Sequence, residues 1–394
     1  MNNIFNDLAG FRQQFSALAN KAYFNYGGQG PMPQLALEAI FKSYEKIQEL
    51  GPFSAKTNSW IIEEQNQTKQ AIASELGVTP ATVTLTEAVS VGCNIPLWGI
   101  NWQPGEHLLI TDCEHPGIIA SVQELQRRWK IEISTCKLLP ILNAGDRLAA
   151  ITEKLQPNTR LVVLSHILWN TGELLPLAEI IQACRNYSPK IQILVDAAQS
   201  VGVLPLNLTE IDIDFYAFTG HKWWCGPEGL GGVYINPKAL ETLQPTFIGW
   251  RGINTDTSGN PIGWKTDGRK FEIATSAYPL LAGLRTAINY HKQWGTVGDR
   301  YQKICHLSKY LWQRLSELNQ VKCLRTSPPE SGLVSFQLTQ QNHNKLVQFL
   351  ETENIMVRTI YNPECVRACV HYFTLESEID ALVDNIKKFT ENYI

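Results

Sequence analysis

The sequence lacks the features that mark several large classes of protein. It has no dense run of lysine and arginine, and 34 basic residues against 37 acidic ones leave a net charge of −3, so nucleic acid and anionic membranes are poor candidates as partners. Its longest apolar windows, such as residues 95–100, are far shorter than the roughly 20 residues that span a bilayer. The N-terminal sequence has neither the basic nor the apolar region of a signal peptide. These absences predict a cytoplasmic protein.

Two short motifs are also missing. The nine cysteines are odd in number and include no Cys-x-x-Cys pair, which favours reduced thiols over a disulfide framework or a zinc site, and we predict no metal. No G-x-G-x-x-G sequence follows an early strand, which argues against a nicotinamide enzyme. The composition, 44% apolar and 18% charged over 394 residues, is that of an ordinary globular protein, and the length favours two domains.

Short apolar runs alternate with amphipathic stretches between about residues 80 and 235, which is typical of βαβ units. Several runs are continuously apolar, as expected for parallel strands covered by helices on both faces. We therefore predict an α/β fold with a doubly wound, mostly parallel sheet, in which ligands bind at the carboxyl ends of the strands. The predicted strands are 82–85, 107–111, 131–135, 159–165, 191–195, 215–218 and 232–235.

The pattern changes after Pro245. Residues 249–268 are rich in Gly, Thr, Asp and Asn and are predicted to form a long functional loop. A smaller α+β unit follows, with predicted helices at 277–294, 300–318 and 343–353, strands at 332–338, 355–360 and 365–372, and a last helix whose apolar residues recur at helical spacing from Ile379 to Phe389. The predicted domains are residues 20–265, and residues 1–19 together with 266–394.

Two charged residues follow neighbouring predicted strands. Asp196 ends the apolar run 191–195, and Lys222 lies beside Trp223 and Trp224 after the run 215–218. A buried acid needs a cationic partner, and a desolvated lysine has a lowered pKa that frees its amine to attack a carbonyl. From these two residues alone, a reactive lysine and a structural Asp/Lys ion pair are equally good interpretations.

Two further turns point to a flat, phosphorylated ligand. The predicted strand 82–85 is followed by a turn that leads through Val89 and Ser90 into a helix. The free N–H groups at the start of a helix bind anions such as phosphate. Alternatively, Ser90 could simply cap the helix. His115 follows the strand 107–111, where an imidazole could stack on a flat cofactor. A histidine at a strand end is more often structural.

Together these residues resemble the class V branch of the fold-type I pyridoxal-phosphate enzymes, which contains the cysteine desulfurases. The resemblance covers nearly the whole chain. The motifs that carry it are Tyr23-Phe-Asn-Tyr-Gly-Gly28, Glu114-His115-Pro116, Val195-Asp-Ala-Ala-Gln199, Thr219-Gly-His-Lys222, Gly226-Pro-Glu-Gly-Leu-Gly-Gly232 and Val366-Arg-Ala-Cys-Val370.

The resemblance implies the fold-type I transferase fold, with pyridoxal 5′-phosphate as cofactor. It implies that Lys222 binds the cofactor as a Schiff base, that Asp196 pairs with the ring nitrogen and that His115 stacks over the ring. It also implies that Gln199 bonds the phenolic oxygen and that Ala198 packs under the ring. Lys222, His115 and Asp196 are therefore the predicted catalytic residues.

The remaining implied contacts concern the phosphate, the substrate and the partner subunit. Asn170 is implied to contact the cofactor, although it lies one place later than the family's usual asparagine. Arg367, with Arg358 on the adjacent strand and Gly28, is implied to bind a small amino-acid substrate through its carboxylate. The family is implied to form homodimers that share their active sites. The residues implied to bind the phosphate are Val89, Ser90, Thr219, His221 and, from the partner subunit, Thr275.

One departure from the desulfurases concerns sulfur transfer. Their persulfide-forming cysteine lies on a loop that corresponds here to Thr359–Glu364, which has no thiol, and Cys365 is predicted to begin the next strand. Within the family the chain most resembles cysteine/cystine C-S lyases, which implies β-elimination to pyruvate, ammonia and a persulfide or sulfide that can supply sulfur for iron–sulfur clusters. The alternatives are a desulfurase that uses Cys365 or Cys225, an epimerase or aminotransferase, and a catalytically silent binding protein on the same fold.

Overall fold

The computed structural model describes residues 8–340 and 342–393, so residues 1–7 of the predicted small domain lie outside the described part. The strands, numbered along the chain, are β1 (Ala22–Tyr23), β2 (Val83–Thr86), β3 (His107–Thr111), β4 (Glu132–Cys136), β5 (Thr159–Ser165), β6 (Gln192–Asp196), β7 (Phe215–Thr219), β8 (Gly231–Ile235), β9 (Ile253–Thr255), β10 (Pro261–Trp264), β11 (Val321–Cys323), β12 (Leu333–Leu338), β13 (Ile355–Met356), β14 (Arg358–Tyr361) and β15 (Glu364–Cys369).

The helices alternate with the strands in the first two thirds of the chain. They are α1 (Leu8–Gln13), α2 (Gln34–Leu50), α3 (Ala55–Leu76), α4 (Val89–Gly99), α5 (Pro116–Trp129), α6 (Arg147–Thr152), α7 (Leu177–Tyr187), α8 (Pro237–Thr242), α9 (Pro279–Trp294), α10 (Val297–Ser316), α11 (His343–Thr352) and α12 (Glu376–Tyr393).

The largest sheet within the described residues has seven strands in the order β2-β8-β7-β6-β5-β3-β4. Strand β8 runs antiparallel to both of its neighbours, and the other pairs are parallel. The predicted α/β fold with a mostly parallel sheet is therefore confirmed. Because β2 is also parallel to β7, the carboxyl ends of β2, β3, β5, β6 and β7 all lie at one edge of the sheet.

The central strands are apolar on both faces because each face packs against helices. Successive side chains of a strand point to opposite faces, and here Leu109 and Val162 belong to one apolar core while their neighbours Leu108 and Leu161 belong to another. All five residues of β7 are buried. This two-sided burial explains why the sequence shows continuous apolar runs, and most polar residues of these strands lie at or near the strand ends.

A second sheet is antiparallel, in the order β11-β12-β15-β14, and a separate apolar core lies between it and helices α10, α11 and α12. The predicted apolar stripe of the last helix, from Ile379 to Phe389, is buried in this core. The boundaries of the predicted domains stay a prediction. No described helix is long and apolar enough to cross a membrane.

Three sequence predictions about secondary structure are corrected. The predicted strand 355–360 is two strands in different sheets, because β13 pairs with β1 and the chain changes partner at Val357 before β14 pairs with β15. The predicted loop 249–268 contains the hairpin β9–β10. The last predicted strand ends at Cys369, before residue 372. Strands β1 and β11 and helices α1, α2 and α3 were not predicted.

Candidate active site

The carboxyl-terminal edge of the large sheet brings together most of the predicted site residues. Each lies at the end of a strand, in the loop that follows it or in the first turn of the next helix, and the order of the strands makes these positions neighbours. The residues are Val89 and Ser90 after β2, His115 after β3, Asn170 after β5, Asp196, Ala198 and Gln199 at the end of β6, and Thr219, His221 and Lys222 at the end of β7.

Lys222 carries an amine whose pKa is lowered to about 8, mainly by burial, with Arg367 and Arg358 adding to the effect and Asp196 opposing it. Its side chain is partly accessible, and across the described ranges Nζ has no hydrogen bond or ion pair. The structural Asp/Lys ion pair is therefore not formed. A partly accessible amine with a lowered pKa is suited to attack a carbonyl.

Asp196 is a buried carboxylate, 7% exposed. Its Oδ1 accepts a hydrogen bond from the N–H of Ala198 at 2.9 Å. In the part of the chain that the structure describes, no basic side chain forms an ion pair with it. Because an unpaired buried carboxylate is costly, Asp196 is suited to a cationic or N–H partner supplied by a ligand.

His115 is the N-cap of α5, and its ring is exposed toward the site. Its Nδ1 accepts a hydrogen bond from the N–H of Gly117 at 3.2 Å, and burial lowers its pKa. The neutral ring therefore carries its proton on Nε2. The ring of Trp169 lies 5.5 Å away, edge to face.

The turn between β2 and α4 has open N–H groups. Helix α4 begins at Val89, and its N-cap Ala88 provides no side-chain hydrogen bond, so the interpretation of Ser90 as the cap is wrong. A methyl group added to Gly231 would lie 3.2 Å from both Ala88 C and Thr219 Cα, so this turn is adjacent to the end of β7. The N-terminal end of a helix without a side-chain cap is suited to an anion such as a phosphate.

Thr219 and His221 lie beside this turn and contact each other, because Thr219 Oγ1 and His221 Nδ1 are joined by a hydrogen bond of 2.7 Å. Burial lowers the pKa of His221. Thr275 lies in the exposed segment 273–277. A cavity of about 810 Å³ is bordered by both Ser90 and Thr275, so the predicted phosphate turn and the residue predicted to reach a partner's phosphate lie on the same open surface.

The two arginines predicted to bind substrate lie opposite each other on β14 and β15, where Arg358 pairs with Arg367. Arg367 is only 1% exposed, its Nη1 donates to the carbonyl of Trp169 at 2.6 Å, and its buried Nε and Nη2 have no partner among the described residues. Burial lowers its pKa. Like charges at directly opposed positions are unfavourable, so this pair is suited to an anionic ligand such as a carboxylate.

Three other predicted contacts can be located. Gln199 donates from Nε2 to the carbonyl of Gly27 at 2.9 Å. A methyl group on Gly28 would lie 2.7 Å from Asn25 Oδ1, so the space beside this glycine is filled by Asn25; its contact with substrate stays a prediction. Asn170 donates to the carbonyl of Asn362 at 2.9 Å, in the turn between β14 and β15. The cofactor contact of Asn170 stays a prediction.

The loop that carries the sulfur-accepting cysteine in desulfurases is a tight turn here. Strand β14 ends at Tyr361 and β15 begins at Glu364, so only residues 362–363 connect them. Cys365 lies inside β15, is fully buried, and has a pKa raised by burial to about 12. Cys225 is also fully buried, and burial raises its pKa. Cys365 was predicted to begin this strand; it belongs to the strand, which begins one residue earlier, at Glu364.

Sequence reasoning missed three residues of the site. Trp169 lies between the predicted cofactor residue His115, which its ring contacts, and the predicted substrate residue Arg367, which donates to its carbonyl. Cys369 is buried beside Arg367, and a methyl group on Gly27 would lie 3.0 Å from its Sγ. Glu114 is a buried acid whose pKa burial raises to about 8. Glu114 and Cys369 each belong to a motif that carries the family resemblance, although no role was predicted for either, and Trp169 belongs to none of those motifs.

Known proteins resemble this chain over most of its length. It is 26% identical to an isopenicillin N epimerase of Streptomyces clavuligerus over 93% of this chain and 94% of that protein. It is 28% identical to a cysteine desulfurase of Shigella sonnei, over 77% of this chain and 75% of that protein. Among solved structures, the cystine C-S lyase C-DES in complex with its reaction product cysteine persulfide is 48% identical, with a TM-score of 0.93 over 95% of this chain and 99% of that one. Residues 22–382 match the model of the protein family described as "Aminotransferase class-V", and the chain belongs to this family.

Proposed function

We propose that the protein is a pyridoxal 5′-phosphate enzyme that cleaves the C–S bond of cystine or cysteine by β-elimination, giving pyruvate, ammonia and a persulfide or sulfide. The observation that carries this proposal is the two-residue turn between β14 and β15, which has no thiol. The likeness to C-DES, a cystine C-S lyase, supports the same reaction.

The residues at the edge of the large sheet fit the cofactor. The open N–H groups at the start of α4, with Ser90, Thr219 and His221, would bind the phosphate. Asp196 would pair with the ring nitrogen, because its buried carboxylate has no basic partner in the described part of the chain. Lys222 would bind the aldehyde carbon through its unpaired amine.

The two faces of the cofactor ring would meet different side chains. His115, whose exposed ring is neutral, would stack on one face, and the small buried side chain of Ala198 would pack against the other. Gln199 would bind the phenolic oxygen through the second hydrogen of Nε2, which the bond to Gly27 leaves free. Asn170, whose buried Oδ1 has no partner among the described residues, would contribute a further contact.

The arginine pair would bind the substrate. The free Nε and Nη2 of Arg367 match the two oxygens of a carboxylate, while Arg358, exposed on the neighbouring strand, would contact the substrate from the solvent side. Gly28 would contact the bound amino acid. A buried guanidinium that keeps two donors unpaired is suited to a ligand that arrives with its own negative charge.

Proton transfer would fall to Lys222. When bound, pyridoxal phosphate stores the electron pair left after the Cα proton is removed. With its pKa near 8, Lys222 Nζ can take that proton near neutral pH. Asp196 would keep the ring nitrogen protonated throughout. The β-sulfur then leaves, and it leaves more easily from cystine because a persulfide is a better leaving group than a thiolate.

A cysteine desulfurase is the main alternative, because relatives with that name match most of the chain. Its mechanism needs an accessible thiolate to accept sulfur. Cys365 and Cys225 are both fully buried and have raised pKa values. This chemistry favours the lyase over the desulfurase. Retention of the substrate's carbon skeleton with inversion, or transfer of its amino group, would instead indicate an epimerase or an aminotransferase.

We further propose a cytoplasmic homodimer with shared active sites. Large apolar side chains are exposed around the hairpin β9–β10, including Phe247, Ile248, Trp250 and Ile262, and such clustered exposure is typical of an interface. The cavity beside them is bordered by Thr275 and Ser90, so Thr275 would reach the phosphate of the partner subunit. All nine cysteines are free thiols, which supports a reducing compartment.

The reaction is tested by product analysis. The purified protein, loaded with pyridoxal phosphate, is incubated separately with cystine and cysteine, and pyruvate, alanine and sulfide are measured. We expect pyruvate without added keto acid and no alanine, and we expect Lys222→Ala to abolish it. Alanine as the main product would overturn the lyase proposal in favour of a desulfurase. A monomer in light scattering would overturn the proposal of shared sites.

A further inference from the structure

Two consecutive tryptophans follow Lys222, and their indole N–H groups differ. Both side chains are fully buried, with Trp223 at 0% and Trp224 at 1% exposure. Trp223 Nε1 donates to Gln199 Oε1 at 2.9 Å, whereas Trp224 Nε1 has no partner within the described residues. An indole nitrogen can only donate, so its bond to Gln199 selects the oxygen end of that amide.

The opposite end of the same amide is also fixed. Gln199 is buried, and its Nε2 donates to the carbonyl of Gly27 at 2.9 Å. If the amide rotated by half a turn, its oxygen would face the Gly27 carbonyl and its NH2 group would face the N–H of Trp223. Two hydrogen bonds would then be replaced by two repulsive contacts. In the observed orientation, the nitrogen end of the amide has one hydrogen left to donate to a ligand, and it has no lone pair with which to accept a hydrogen bond.

The backbone of Trp223 is positioned by a buried histidine. His371 Nε2 donates to the Trp223 carbonyl at 3.0 Å, and His371 Nδ1 accepts from the N–H of Tyr372 at 3.1 Å. The ring is therefore neutral, with its proton on Nε2, and burial lowers its pKa to about 3. Trp223 therefore bonds through its carbonyl to His371, two residues after the strand of Arg367, and through its indole to Gln199 in the turn after Asp196.

We propose that Trp223 is a positioning residue whose indole N–H orients the Gln199 amide, so that an N–H and not a carbonyl oxygen is available to the cofactor's phenolic oxygen. The proposal rests on the proposed function, in which Gln199 binds that oxygen. A hydrogen bond to the ionised form of a group favours ionisation. Trp223 therefore lowers the pKa of the bound chromophore without touching it.

The matched variants are Trp223→Phe and Trp224→Phe, which each remove one buried indole N–H from adjacent positions. The readout is the visible absorption of the cofactor-loaded full-length protein, titrated with pH in the absence of substrate. Loss of one hydrogen bond should raise the midpoint of this absorption titration by about half to one pH unit. We expect this shift in Trp223→Phe and none in Trp224→Phe.

A double-variant cycle separates positioning from packing. In Gln199→Leu the amide is absent, so adding Trp223→Phe should produce no further shift of the midpoint. The proposal is overturned if Trp223→Phe leaves the midpoint unchanged, if Trp224→Phe moves it equally, or if the full Trp223→Phe shift persists in the Gln199→Leu background. Pyruvate formation by the unaltered protein is measured in parallel, so failure of the lyase reaction is distinguished from failure of this orientation.

Loss of folding in Trp223→Phe would not end the test. Benzothienylalanine, in which sulfur replaces the indole N–H and the shape of the ring is kept, can be placed at position 223 or 224 by codon reassignment. The same comparison then applies. An upward shift at position 223 alone supports the proposal, and equal midpoints at the two positions overturn it.

Discussion

Arg367 and Arg300 offer a comparison between two equally buried arginines with different partners. Each is 1% exposed, but Arg300 forms an ion pair with Glu75 at 2.9 Å. Arg367 has no acidic partner within the described residues: it donates to the carbonyl of Trp169, interacts with the neighbouring thiol of Cys369, and has no hydrogen bond from Nε or Nη2. Methionine fills a similar volume without charge, and we expect it to lower stability at position 300 but not at position 367.

The magnitudes follow from the partners. Arg300→Met leaves Glu75 buried without its main partner, which should lower the free energy of unfolding by about 3 kcal/mol. Arg367→Met loses one charge-assisted hydrogen bond, worth about 1.5–3 kcal/mol, but removes a desolvated charge whose burial costs several kcal/mol. The stability of Arg367→Met should therefore be unchanged or up to about 2 kcal/mol higher. Urea unfolding of the cofactor-free proteins measures both changes.

The effects of the two substitutions on activity should be reversed, with the larger loss in Arg367→Met. Loss of the two bonds between Arg367 and the substrate carboxylate should lower kcat/KM by roughly 10²- to 10⁴-fold, at about 1.5–3 kcal/mol for each bond. Arg300→Met, where it stays folded, should change kcat/KM little. If Arg367→Met were destabilised as much as Arg300→Met, Arg367 would have a structural partner, and the assignment of its free donors to a substrate would be refuted.

Three further predictions concern the cofactor and the thiols. The rate at which the cofactor-free protein binds pyridoxal phosphate should rise with pH around a midpoint near 8, because Lys222 has a pKa of about 8 instead of 10.5 and about half of its amine is neutral at that pH. Stopped-flow absorption measures this rate. A midpoint above 10 would contradict the assignment of Lys222. Asp196→Asn should fold and bind cofactor but lose most pyruvate formation, since a neutral amide cannot keep the ring nitrogen protonated; near-normal turnover would show that the residue is misassigned. Cys365→Ser and Cys225→Ser should keep most pyruvate formation from cystine, apart from packing losses at these buried positions, and loss by orders of magnitude in a folded, cofactor-loaded variant would favour a desulfurase.

The large sheet could be predicted because its signal is local. Each central strand is buried on both faces and reads as an apolar run, and polar residues such as Asp196 follow directly where the run stops. Strands β3 and β5 have the predicted bounds, β7 and β8 differ from them by one residue at one end, and β2, β4 and β6 are shifted by one residue at both ends. The resemblance to the class V family then supplied the roles of these residues, which no local pattern contains.

What the sequence could not predict depends on contacts between distant segments. The break at Val357 arises because β13 pairs with β1, which lies near the start of the described chain, whereas β14 pairs with the adjacent strand β15. Trp169 and Cys369 enter the site through contacts with Arg367 and Gly27. The difference between the two tryptophans after Lys222 is likewise invisible in the sequence, because it depends on which indole reaches Gln199.

The two-residue turn between β14 and β15 also determines how sulfur can be delivered. A turn of this length cannot extend from the site toward another protein, and it carries no group on which sulfur could travel. In the proposed reaction, sulfur therefore leaves as a small molecule in solution. Its supply to any acceptor then depends on the concentration of that product and its rate of diffusion, and no acceptor protein has to dock at the active-site entrance.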